Sequence, residues 1–208
     1  MNREDNRALG QIDPKQYLKI QPFLNRGKSL NFTILDFWQW SSSNLLENTI
    51  RGVLAEFIVA SALDVKTPVR VEWDDRDVEF EGFKIEVKSA AYVQAWEQEK
   101  LSDIKFSIQP KYLDTTRLKA GCPNIAQRRA DLYVFCVFCE TDFDRIEPLD
   151  VSQWEFYVLD TATLDREVGS QKSIGLNSLK RLDPTIVEYD RLKPTVQEIV
   201  RSIDRNPH

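Results

Sequence analysis

The 208-residue sequence predicts an α/β fold, a mixed central β-sheet flanked by helices. Three segments carry that expectation. "LLENTIRGVLAEFIVASAL" places apolar residues at helical spacing, "DRDVEFEGFKIEVKS" alternates apolar and charged residues about one glycine, and "DLYVFCVF" is almost wholly apolar. A helix, a half-buried hairpin and a strand covered on both faces assemble in that order into a sheet with helices packed on it.

Along the chain, "TILDFWQW" is aromatic enough to pack, and its pattern suits either element type. After "SSSN", Asn44 and Glu47 stand at capping-box-like spacing, and Leu46, Ile50, Val53, Leu54, Phe57 and Ile58 form a wide apolar stripe. These place a helix over about residues 44–62. "VRVEW" reads as a strand with Val69, Val71 and Trp73 on one side, and the apolar parity then switches before Val78, which requires a turn or bulge at "DDR".

In the hairpin, a two-residue turn at Glu81-Gly82 pairs Phe80 with Phe83, Glu79 with Lys84, Val78 with Ile85, Asp77 with Glu86 and Asp75 with Lys88. This register puts every apolar residue on one face, and a one-residue slip would expose the set. "DIKFSIQ" is a half-buried strand with Lys105 and Ser107 outward, "DLYVFCVF" a central, parallel strand, and "WEFYVLD" a further strand. "DRLKPTVQEIVRSI" closes the chain as a helix starting near Pro194. With no internal repeat, low-complexity tract or long linker, one domain over residues 1–208 is expected.

Composition narrows the chemistry. The single histidine is His208, which argues against a Ser/His/Asp triad, a Cys/His pair and a histidine-rich zinc site. Cys136 and Cys139 form a CxxC inside the apolar run, where alternation sends the two sulfurs to opposite faces, so reduced core thiols are expected. There is no phosphate-loop or dinucleotide glycine motif. An N-terminus without an apolar run, and no apolar stretch of spanning length, lead to the expectation of a cytoplasmic protein with no membrane partner.

The net charge of −5 is unevenly spread. Residues 71–81 hold six acids against Arg76 alone, whereas residues 100–130 hold seven bases, among them Lys105, Lys111, Arg128 and Arg129, against two acids. An acidic spot beside a basic surface suits a divalent cation next to a phosphate backbone; two solvated faces are the plain alternative.

Within the hairpin, Glu79 opposite Lys84 is an ordinary cross-strand ion pair, but Asp77 opposite Glu86 sets like charges against each other. A divalent cation reverses the sign of that interaction. Lys88 follows on the same face, near enough to hold a water or offset phosphate charge. On the preceding helix, Glu56 has Gly52, Val53, Val59 and Ala60 one turn away and no basic partner among them, which leaves either rim exposure or a cation to account for its charge.

Asp77 followed by Glu86-Val87-Lys88 on adjacent strands, after a helix bearing Glu56, resembles the PD-(D/E)XK nuclease superfamily. The resemblance implies a restriction-endonuclease-like core over about residues 44–140 with N- and C-terminal extensions, a helix preceding a β-meander, and "RRADLYVF" as the buried strand after a second helix. It implies a metal-dependent deoxyribonuclease using Mg²⁺, with Mn²⁺ as a substitute. Asp77, Glu86 and Glu56 would be metal-binding and catalytic, and Lys88 would assist the attacking water. Arg76 stands where the family has proline, which leaves Asp75 as the competing ligand. Gln94 follows the motif as a glutamine does in some members and is a candidate for substrate binding. Lys105, Lys111, Arg128 and Arg129 are candidates for DNA backbone contacts, and a homodimer would suit cleavage of both strands of a duplex. The competing reading is a non-catalytic nucleic-acid or protein interaction module that retains the fold; intact Asp77, Glu86 and Lys88 disfavour it.

Overall fold

The computed structural model describes residues 14–66, 69–70, 77–112 and 125–204. The expected strand "VRVEW" beyond Arg70, the turn or bulge at "DDR", Asp75, and the bases Arg117 and Lys119 lie outside them. The chain groups into two compact units, one of residues 1–41 with 67–73, the other of residues 42–66 with 74–208. Among the described residues no helix is long and apolar enough to cross a membrane.

The smaller unit contains a hairpin, β1 (Pro22–Asn25) and β2 (Lys28–Thr33), followed by α1 (Ile34–Ser42). The hairpin turns at Arg26 and Gly27, both at positive φ. "TILDFWQW" resolves into helix because Thr33 and Asp36 cap its start: the Asp36 carboxylate accepts from the Thr33 backbone N–H at 2.6 Å and its hydroxyl at 2.7 Å. None of the residues of β1, β2 or α1 is buried.

In the larger unit a five-stranded mixed sheet is ordered β3-β4-β6-β7-β9, from β3 (Val78–Phe80), β4 (Phe83–Ala91), β6 (Leu132–Phe138), β7 (Trp154–Asp160) and β9 (Thr185–Val187). Only β4 and β6 run parallel; the other neighbours are antiparallel. All seven residues of β6 are buried, as an uninterrupted apolar strand demands. One face, with Ile85, Val87, Leu132, Val134, Cys136 and Phe156, is covered by α2 (Asn48–Ala62) and α5 (Tyr189–Asp204). The opposite face, with Tyr133, Phe135, Val137 and Tyr157, is covered by α3 (Thr161–Val168), α4 (Leu176–Lys180) and a two-stranded sheet of β5 (Lys105–Ser107) and β8 (Ser173–Gly175). Cys136 and Cys139 point to these different cores, as alternation requires.

Four expectations are corrected. The helix begins at Asn48 because Glu47, not Asn44, caps it, its carboxylate accepting from Thr49 N at 2.9 Å and Ile50 N at 3.0 Å. Its buried stripe is Arg51, Ala55, Ile58 and Val59, and Phe57 is 68 % exposed; the stripe is offset because Ala55 and a fully bonded Arg51 face the sheet. The last helix begins at Tyr189, ahead of Pro194, because Leu192, Val196 and Val200 form one buried row that extends on both sides of the proline. The meander is not continued by β5, whose three residues pair with β8 and close the second core with Phe106; β4 takes β6 as its next neighbour instead. Between β5 and β6 the described residues contain no helix, and residues 113–124 lie outside them.

The hairpin register is as read: Val78 opposes Ile85, Glu79 opposes Lys84 and Phe80 opposes Phe83. Its turn places Glu81 at φ 51° and Gly82 at φ 86°, the pair of left-handed residues that matches strand twist. Gly82→Ala should therefore cost about 1–2 kcal/mol in urea-induced unfolding, through backbone strain alone, since nothing lies within 4 Å of the added methyl.

Candidate active site

The site is organised by β4. Side chains at even positions of this strand leave the sheet on the face of the second core, so Glu86 and Lys88 share that face with Tyr133, the register partner of Glu86 on β6. Lys88 Nζ donates to Glu86 Oε1 at 2.5 Å, and Lys111 Nζ stands 3.6 Å from the same oxygen. The Glu86 side chain is 13 % exposed and that of Lys111 is 75 % exposed, so the second ammonium reaches a sheltered carboxylate from solvent.

Asp77 precedes the first residue of β3, where its backbone N–H donates to Ile85 O at 3.2 Å. Its Oδ2 accepts from the Val87 N–H at 2.7 Å. The side chain thus supplies the next acceptor of the ladder, which holds this carboxylate near the edge of the sheet, within electrostatic reach of groups on both faces. Glu86 acts on it from one side and Glu56, half-buried on α2, from the other.

Burial is the largest cause, followed by the Glu86 and Glu56 charges, that pushes the Asp77 pKa from 3.8 up to about 6; the Val87 hydrogen bond and Lys88 oppose it. Among the described residues no three His, Cys, Asp or Glu side chains form a metal-holding group. Asp77, Glu86 and Glu56 therefore do not converge as one three-carboxylate set, because α2 packs on the face of Val87 whereas Glu86 leaves the other. Asp77 and Glu86 remain as a pair of hard oxygen donors, and one or two carboxylates suffice for a Mg²⁺ that completes its shell with water and phosphate.

The other candidates separate. Lys105 is exposed on β5, and Arg129 is half-buried beside β6. Lys111 is held at the site by a bridge to Gln127. Arg128 cannot serve as a DNA contact: its guanidinium is buried and bonded to Asp165, to Ile108 O at 2.8 Å and to Gln171 O at 3.1 Å. Gln94 is likewise committed, since its Oε1 accepts from Arg51 at 3.0 Å and its Nε2 donates to Ala91 O at 2.8 Å.

Arg51 itself was not legible as important. It is 4 % exposed and also donates to Ser89 Oγ, Leu46 O and Asn48 Oδ1, tying α2 to the end of β4. An arginine within an apolar helix pattern was the available signal. Tyr133 was hidden inside the apolar run, and only its register beside Glu86 distinguishes it.

A carboxyl whose pKa rises on folding favours the fold most below its unfolded value, and that contribution is lost as pH rises through the folded value. For Asp77 the window runs from 3.8 to about 6. Asp77→Asn retains an acceptor for Val87 and removes the charge. In EDTA its stability relative to the wild type should be unchanged below pH 4 and higher by on the order of 2 kcal/mol above pH 6.5, as read by denaturation across that range.

A sequence model of the family described as bacteriophage T4 endonuclease IV matches residues 22–178, from β1 through most of α4. No curated protein and no solved structure matches. Spanning most of the chain and containing Asp77, Glu86 and Lys88, the match identifies this protein as a member of the bacteriophage T4 endonuclease IV family, a family of nucleases.

Proposed function

We propose that the chain is a metal-dependent DNA endonuclease of the PD-(D/E)XK type, hydrolysing phosphodiester bonds at Asp77, Glu86 and Lys88. The observation that carries this reading is the sheltered carboxylate Glu86 close to a second carboxylate, Asp77, with an ammonium on the same strand. Like charges so placed repel, and a divalent cation shared between them would reverse the sign of that interaction.

In this reading Asp77 and Glu86 would hold Mg²⁺ or Mn²⁺, and Glu56 adds negative field from the other side of the sheet. Bound there, the ion would polarise the scissile phosphate and lower the pKa of the attacking water. Lys88, relieved of its pairing with Glu86, would orient that water; its oxygen bonds to phosphorus as the bond to the leaving sugar oxygen breaks, the proton lost by the water passing to solvent and the leaving oxygen taking one from solvent. Lys111, on the same carboxylate and largely exposed, supplies a contact to the phosphate backbone, and Lys105 and Arg129 are further candidates.

Incubation of supercoiled and linear DNA with Mg²⁺ or Mn²⁺ should give cleavage that EDTA abolishes. Lys88→Ala should slow it by at least about 100-fold, and Glu86→Ala should abolish both cleavage and the heat of Mg²⁺ binding. Cleavage that survives both substitutions would place the chemistry elsewhere. Lys111→Ala should weaken DNA binding uniformly across sequences and lower the slope of log affinity against log salt by about one, measured by fluorescence anisotropy on a cleavage-inactive background.

A further inference from the structure

Tyr133 stands beside Glu86 as its register partner across the parallel β4–β6 ladder, and neighbouring strands lie only about 4.8 Å apart. Both side chains leave the same face. The tyrosine is 4 % exposed, and its ring stacks on Phe135 with centroids 5.5 Å apart, which fixes the direction of the phenol. Yet its hydroxyl donates no hydrogen bond to any described residue. Thr161 Oγ1 is the one fully enclosed side-chain polar atom without a partner among the described residues, so the small exposed part of Tyr133 includes its hydroxyl oxygen.

Glu86, Asp77, Arg128 and Asp165 are the charged groups whose fields reach the phenol. Glu86 Oε1 is committed to Lys88 and faces Lys111, Asp77 Oδ2 to Val87, and Arg128 and Asp165 to each other. What results is a donor on a ring fixed by stacking, with solvent access and no acceptor among the described residues, next to the carboxylates that would receive the substrate.

We propose that Tyr133 is a further catalytic residue, whose hydroxyl donates a hydrogen bond to a non-bridging oxygen of the phosphodiester under attack. The inference rests on the reading of Asp77, Glu86 and Lys88 as the nuclease site. A donor held in place before the reaction stabilises charge as it shifts on the phosphoryl oxygens, without reorganising, and such a donor acts on kcat more than on KM. It needs no side-chain movement, because the ring is already locked against Phe135. A tyrosine serving only to fill the core would lose nothing in catalysis on conversion to phenylalanine.

The full chain is compared as wild type, Tyr133→Phe and Lys88→Ala in steady-state cleavage of DNA with Mg²⁺. Tyr133→Phe should lower kcat by about 100-fold with KM within about twofold, and leave the thermal midpoint unchanged, because the hydroxyl lost has no partner among the described residues. A phosphorothioate at the scissile position should slow the wild type more than Tyr133→Phe, since sulfur is a poor acceptor. Wild-type kcat in Tyr133→Phe, or equal slowing of both proteins by sulfur, overturns the role of Tyr133 while Lys88→Ala stays slowed by at least about 100-fold. Failure of the wild type to cleave with metal overturns the nuclease-site reading itself, and the role of Tyr133 with it.

Discussion

Complete burial of β6 is the constraint on which the larger unit depends. Seven consecutive residues from Leu132 to Phe138 are buried, so a layer must cover each face of the sheet and a strand must occupy each edge of β6. β4 takes one edge in parallel and β7 the other in antiparallel, and this pairing puts Glu86 beside Tyr133. The site is thus a consequence of satisfying the backbone hydrogen bonds of one apolar strand. A chain that left either edge of β6 open would lose the register on which every site residue depends.

Polar groups enter this sheet where its regular pairing ends. Asp77 is held because its carboxylate substitutes for a backbone acceptor opposite Val87, and the same placement exposes it to the fields of Glu86 and Glu56 from two sides. Its raised pKa is the electrostatic cost of that position. Lys88 and Lys111 offset the charge of Glu86, one from the same strand and one from solvent, and the exposed lysine is the partner more readily redirected to a phosphate. Arg128 and Arg51 show the other use of basic residues. Each is buried and bonded through several N–H groups, joining segments distant in sequence, an arrangement for which the guanidinium fork is suited.

Much of this was legible because it follows from periodicity. The hairpin register is recoverable from the alternation about Glu81-Gly82, since only one pairing buries Val78, Phe80, Ile85 and Val87 together. β6 and β7 follow from their apolar content, and the placement of Cys136 and Cys139 on different faces from alternation alone. The misplaced features have a common cause. Glu47 as the helix cap, Phe57 outward and Arg51 inward, and the early start of the last helix all depend on which face of a helix meets the sheet, and hydrophobicity is a poor guide where a fully bonded arginine can take an inner position. Arg128 was misassigned for the same reason: in a basic segment, charge by itself does not tell a buried fork from a surface contact.

The sequence by itself determined the α/β class, the hairpin and its register, and the juxtaposition of Asp77 with Glu86 and Lys88, because these are local consequences of a two-residue repeat along strands. Only the tertiary structure decided that Tyr133 adjoins Glu86, that Lys111 returns to the same carboxylate, that Glu56 lies across the sheet from it, and that Arg128 and Gln94 are consumed within the fold. Those relations join residues separated along the chain by whole elements. They are set by strand order, by the face each helix covers, and by which polar groups find partners as the core closes, none of which a local repeat encodes.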